Sequence, residues 1–97
     1  MNIEKTINGT EATLALEGWL DTQTSPELGK VLEELDSSIT DLTLDFSKLE
    51  YISSAGLRQI VASHKKVGGN LKITNMRPEI EDVFRMTGFD KRINIVK

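Results

Sequence analysis

The chain lacks cysteine altogether and holds a single histidine, a single tryptophan, a single tyrosine and two prolines among 97 residues. Without cysteine there is no disulfide framework, no thiolate zinc site and no thiol nucleophile, so stability has to come from packing, and the composition fits a reducing compartment. Basic tracts are also missing. Twelve Lys and Arg stand against fifteen Asp and Glu, for a formal charge of −3, and no Lys/Arg run exceeds the pair Lys65-Lys66. That balance gives no nucleic-acid footprint. No segment approaches the ~20 apolar residues of a membrane span. The N-terminus, MNIEKTING, carries an acidic residue and lacks the apolar run of a signal peptide. A cytoplasmic protein with no nucleic-acid partner and no direct membrane insertion is expected.

What is present is one domain's worth of core. With 38% apolar residues, residues 1–97 are read as a single domain, which at this size buries roughly two thirds of its unfolded surface. Ile3, Lys5 and Ile7 alternate with polar neighbours, and Ala12, Leu14 and Leu16 resume the alternation, so a hairpin turning at Asn8-Gly9 is predicted. Period-two counting to Leu20 puts Trp19 on the face opposite Leu14, Leu16 and Leu20. Thr24, Pro26 and Glu27 form a T-x-x-E capping box, and Leu28, Val31, Leu32 and Leu35 make one helical stripe.

A half-buried strand with Leu42, Leu44 and Phe46 inward is followed by a polar link, Ser47 to Glu50, before Tyr51-Ile52 returns to the core. The serine pair Ser53-Ser54 then opens a helix with Leu57, Ile60, Val61, His64 and Val67 on one face, ending at Gly68-Gly69. Leu71, Ile73 and Asn75 suggest another strand. Pro78 restarts a helix with Ile80, Val83, Phe84 and Thr87 inward, Gly88 ends it, and Ile93 to Val96 form a last strand. The order ββαβαβαβ implies an α/β domain with a mixed, mostly parallel sheet, an antiparallel hairpin at one edge and three main helices packed on it.

The stretch from Leu42 to Leu57 holds the candidate site, Ser54. It is not a catalytic nucleophile. A nucleophile elbow needs G-x-S-x-G, and this chain has Ile52-Ser53-Ser54-Ala55-Gly56. His64 lies ten residues along the same helix, ~15 Å away at 1.5 Å per residue, beyond hydrogen-bond reach. Gly68-Gly69 lacks the lysine and hydroxyl of a phosphate-binding loop, and Asp21, Asp45, Glu50 and Asp82 are too dispersed to hold a metal. No enzyme activity, cofactor or metal is expected. Two readings of the serine pair stand: a helix N-cap, or a phosphate acceptor at the mouth of a helix. There unpaired N–H groups favour negative charge, and Arg58 lies one turn up.

Three segments carry a family resemblance: LEGWLDTQTSPEL, LTLDFSKLEYISSAGLRQIV and VFRMTGF. Together they resemble STAS domains, in particular the single-domain anti-sigma factor antagonists of bacterial partner-switching systems. The resemblance implies that Ser54 is phosphorylated by a serine kinase/anti-sigma factor of the histidine-kinase-like ATPase type and dephosphorylated by a PP2C-type phosphatase. The unphosphorylated form would bind the kinase and the phosphorylated form would let go. The family's D-S-S-G or D-S-[AS]-G has aspartate where this chain has Ser53, which makes Ser53 a second acceptor candidate. Asp21, Ser53, Ala55, Gly56 and Arg58 would surround the contact surface, Ala55 and Gly56 by being small. Trp19 is either a half-covered packing residue or an anchor there. Asp21 has capping of the first helix as its other reading, and Asp45 matches a structural turn position. The alternative function implied is a non-switching STAS scaffold subunit, for example of a lipid-transport ABC complex.

Overall fold

Alternating strand pattern and turn chemistry place β1 at Asn2–Asn8 and β2 at Glu11–Leu20 of the computed structural model, which describes residues 1–96. Lys97, the last residue of the predicted domain, lies outside the described residues. The two strands pair antiparallel with Asn8 opposite Glu11, so the hairpin turns at Gly9-Thr10, one residue later than Asn8-Gly9. Only Gly9 takes positive φ, at 63°. Asn8 therefore stays in the strand, and glycine alone supplies the left-handed residue.

The chain continues through α1 (Ser25–Glu34), β3 (Asp41–Ile52), α2 (Ser54–Lys66), β4 (Leu71–Thr74), α3 (Pro78–Thr87), a 3-10 turn at Phe89–Lys91 and β5 (Asn94–Val96). The described strands form a sheet in the order β1-β2-β3-β4-β5, parallel from β2 onward. Each crossover steps the same way along the sheet, and right-handed crossovers then put all three helices on one face. Burial agrees. Leu14, Leu16, Leu44, Phe46 and Ile73 are buried on the helical side, while Thr13, Thr43, Asp45 and Lys72 face outward and are half-buried or exposed. The predicted α/β architecture with its hairpin edge is the observed one. Phe84 of α3 meets Phe46 of β3 with ring centroids 6.3 Å apart, both fully buried.

Three local expectations are corrected. Ser47 to Glu50 is no link: β3 runs unbroken to Ile52, with Leu49 fully buried. Its register against β2 shifts twice, between Ala15 and Glu17 and between Gly18 and Trp19. Each shift leaves an extra β3 residue and doubles a polar position, which mimics a loop in the sequence. Tyr51 consequently faces outward at 44% exposure instead of entering the core. On α2 the buried face is Gly56, Leu57, Ile60 and Ser63, with Val61 and His64 half-buried. The fully buried Ser63 satisfies its hydroxyl by donating to Ile60 O at 2.6 Å.

The third correction concerns Thr24, which does not cap α1 through its side chain. Its hydroxyl turns back to donate to Trp19 O at 2.6 Å and accepts from Asp21 N at 2.9 Å. Asp21 does not cap the helix either: its Oδ1 accepts from the N–H groups of Gln23 and Thr24, each at 3.0 Å, and so closes the turn that leads into α1.

Candidate functional site

The site forms where β2 and β3 end side by side and the chain turns into α2. Ser53 N donates to Leu20 O at 2.9 Å, which ties the mouth of α2 to the end of β2. Ser53 is the N-cap: its backbone is extended, its Oγ accepts from Gly56 N at 3.3 Å, and its carbonyl accepts from Leu57 N at 2.9 Å. Ser54 is the first helical residue and is exposed, and its hydroxyl makes no hydrogen bond among the described residues. The N–H groups of Ser54 and Ala55, in the first turn, have no intrahelical acceptor. Arg58 is exposed one turn above and has no ion pair among the described residues. The two serines thus divide the alternatives left open by the sequence, one engaged as cap and the other free at the surface.

Gly56 is the residue that lets this junction close. A Cβ built on it would lie 2.8 Å from Leu20 O and 2.9 Å from both Ile52 Cγ1 and Leu20 Cγ. Gly56 is buried and Ala55 half-buried. The domain's own packing therefore requires glycine at position 56.

On the outer sheet face Trp19 and Tyr51 sit opposite each other in register, with ring centroids 4.9 Å apart. Trp19 is 55% exposed, on the face opposite Leu20 as period-two counting requires. Sequence reasoning missed Tyr51; the signal for it was the paired polar positions Ser47-Lys48 and Glu50-Tyr51, the spacing of a bulged strand. Asp45 does not end the strand at a turn: it lies within β3 where the register first shifts, and accepts from Ser47 N at 3.0 Å and Asn75 Nδ2 at 3.1 Å. Partial burial pushes its pKa up, but those two hydrogen bonds and nearby Lys48 outweigh that and hold it below the usual value.

The family model described as "Mlab, STAS domain" matches residues 3–97. The chain belongs to the STAS family. Among its relatives, BtrV of Bordetella bronchiseptica is 31% identical over 78 residues, covering 76% of this chain and 67% of its own length. The anti-sigma-B factor antagonist of Bacillus subtilis is 28% identical over 98 residues, covering 98% of this chain and 90% of its own. Of solved structures, the anti-sigma factor antagonist SpoIIAA in its unphosphorylated form superposes with a TM-score of 0.82 at 16% identity, covering 99% of this chain and 89% of that one. The phosphorylated form of SpoIIAA matches with a TM-score of 0.68 at 15% identity over 99% and 92% of the two chains. These likenesses establish the STAS fold.

Within this STAS domain the roles of Ser53 and Asp21 are open to simple tests. Removing the cap with Ser53→Ala should lower stability by about 1 kcal/mol without touching the Ser54 hydroxyl. Urea denaturation of the variant gives the number; no loss would mean that the Gly56 N–H is satisfied some other way. The Asp21 carboxyl is held below the ordinary aspartate range, chiefly by the hydrogen bond from Thr24 N–H. A depressed folded pKa means the carboxylate stabilises the fold above the unfolded pKa and loses that effect as pH falls through the folded value. Asp21→Asn should therefore be less stable than the parent at pH 6, with the gap narrowing as pH falls through the depressed folded value. Parallel unfolding curves at pH 6 and at successively lower pH measure it, and a pH-independent gap would contradict a role for the ionised carboxylate in closing this turn.

Proposed function

We propose that this STAS domain acts as an anti-sigma factor antagonist whose binding is switched by phosphorylation at Ser54. The observation that carries the reading is the division between the serines: Ser53 Oγ is committed to Gly56 N, and Ser54 Oγ is exposed and uncommitted at a helix mouth. The names of the relatives support it, since the Bacillus subtilis protein is called an anti-sigma-B factor antagonist and SpoIIAA is described with and without phosphate. The partner is a serine kinase/anti-sigma factor of the histidine-kinase-like ATPase type. It transfers the γ-phosphoryl group of ATP to Ser54 Oγ, releasing ADP and the hydroxyl proton. A PP2C-type phosphatase reverses the step with water, returning serine and inorganic phosphate.

Trp19, Asp21, Ser53, Ala55 and Arg58 border the docking surface in this reading, and Tyr51 joins them through its ring contact with Trp19. The domain performs no chemistry of its own. It presents the acceptor, and the charge placed there decides whether the partner stays. Binding of the kinase to Ser54→Ala and Ser54→Glu variants by calorimetry tests this: the alanine form should bind as the parent does and the glutamate form more weakly. Equal binding of both would instead favour a non-switching scaffold subunit.

A further inference from the structure

Two adjoining hollows run along the outer side of α2 and share Val61 and Phe89. The one at the start of the helix, about 360 Å³, is bordered by Ser54, Leu57 and Arg58. The other, about 320 Å³, is bordered by His64, Lys65, Arg92 and Ile93. Together they form one groove between α2 and the 3-10 turn at Phe89–Lys91. The α2 positions involved, 54, 57, 58, 61, 64 and 65, recur at three- and four-residue spacing. They span ~16 Å at 1.5 Å per residue, about three turns of a helix lying alongside.

The floor is apolar: Val61 is half-open, and Phe89, packed against the core on one side, is half-open on the other. The rim is cationic: Arg58, Lys65 and Arg92 are exposed, and none has an ion-pair partner among the described residues. No carboxylate borders either hollow, although the chain carries fifteen acidic residues against twelve basic ones. A carboxylate-free, cation-rimmed apolar strip on a net-negative domain is complementary to one kind of surface.

We propose that this groove seats an acidic amphipathic helix of a partner protein, with apolar side chains over Val61 and Phe89 and carboxylates against Arg58, Lys65 and Arg92. Docking here does not depend on phosphate. Its coupling to the switch rests on the reading of Ser54 above: a phosphate at the near end would draw Arg58 away and repel the helix's carboxylates. The far end of the groove extends recognition well beyond the acceptor serine.

The probe is the peptide Ac-EELLEELLEELL-NH2, titrated into the 15N-labelled full chain, with Ac-KKLLKKLLKKLL-NH2 as the opposite-charge control. The acidic peptide should shift the amide signals of Val61, Phe89 and Ile93, despite the like net charge of the two molecules, and bind more weakly as salt is raised. The double variant Lys65→Glu, Arg92→Glu should raise its Kd about tenfold or more. Both replaced side chains are exposed, and an unchanged melting temperature and signal dispersion confirm that the variant is folded. Absence of shifts, shifts centred on Trp19 and Tyr51, or an unchanged Kd in the double variant would overturn the proposal. No kinase takes part, so failure here leaves the Ser54 reading intact, and failure of Ser54 phosphorylation leaves this one intact.

Discussion

Gly56→Ala is expected to destabilise the domain by about 2 kcal/mol, although alanine is the better helix former by roughly 1 kcal/mol. The added methyl would enter the space of Leu20 O at 2.8 Å and of the Ile52 and Leu20 side chains at 2.9 Å. A backbone carbonyl cannot swing aside as a side chain can. The first turn of α2 must lift instead, and with it goes the Ser53 N to Leu20 O bond that fastens it to β2. For a domain of this size a loss of that order lowers the melting temperature by roughly 10 °C. Gly29→Ala is the matched control. There the nearest atoms to the new methyl belong to the end of the Gln59 side chain, at 3.1 Å, which can move, so the helix-propensity gain should show and stability should rise. Calorimetric melting of the two variants separates the cases; similar melting temperatures would mean that the α2 junction is not held by close packing at Gly56.

Phosphorylation of Ser54 is expected to act in opposite directions on the fold and on binding. At the mouth of α2 the phosphate, with about −1.5 to −2 charges at pH 7, meets the unpaired N–H groups of the first turn and the favourable end of the helix dipole. The isolated domain should gain a few tenths of a kcal/mol up to about 1 kcal/mol. In a complex the same group must be stripped of water and faces whatever carboxylates the partner presents, which costs several kcal/mol. The net expectation is a loss of partner affinity of about 100-fold, roughly 2.7 kcal/mol, with a melting temperature equal to or above that of the unmodified chain. Titration calorimetry and thermal melting of the two forms check both signs. A phosphorylated form that melts lower would point to unfolding of the α2 mouth as the cause of release, not charge at an intact surface.

The sequence carried most of the architecture because its strongest signals are local. Hairpin alternation, the Leu28 to Leu35 stripe and the stops at Gly68-Gly69 and Gly88 all survive in the structure. The misreadings arise where tertiary contacts override local pattern. Two bulges shift the phase of β3, so Ser47 to Glu50 looks like a loop and Tyr51 like a core residue. The tight seat of Gly56 on Leu20 brings Ser63 inward and leaves Val61 and His64 half-buried. Thr24 carries a capping pattern, yet its hydroxyl is claimed by Trp19 O, a partner five residues back that no capping rule anticipates.

At the candidate site, Ser54 and Ser53 were legible as a pair but not as separate roles. That separation needed the Ser53 Oγ to Gly56 N contact. Position 53 of this chain differs from the aspartate usual in the family, but a serine hydroxyl can fill the N-cap position as a carboxylate does. On this account the departure changes the capping group and leaves the acceptor at Ser54 untouched.

Fragmentation mass spectrometry of the chain after incubation with its partner kinase and ATP tests the central claim most directly. The account predicts a single phosphate on Ser54, absent from Ser54→Ala and retained in Ser53→Ala. A phosphate found on Ser53, or one that persists in Ser54→Ala, would contradict it.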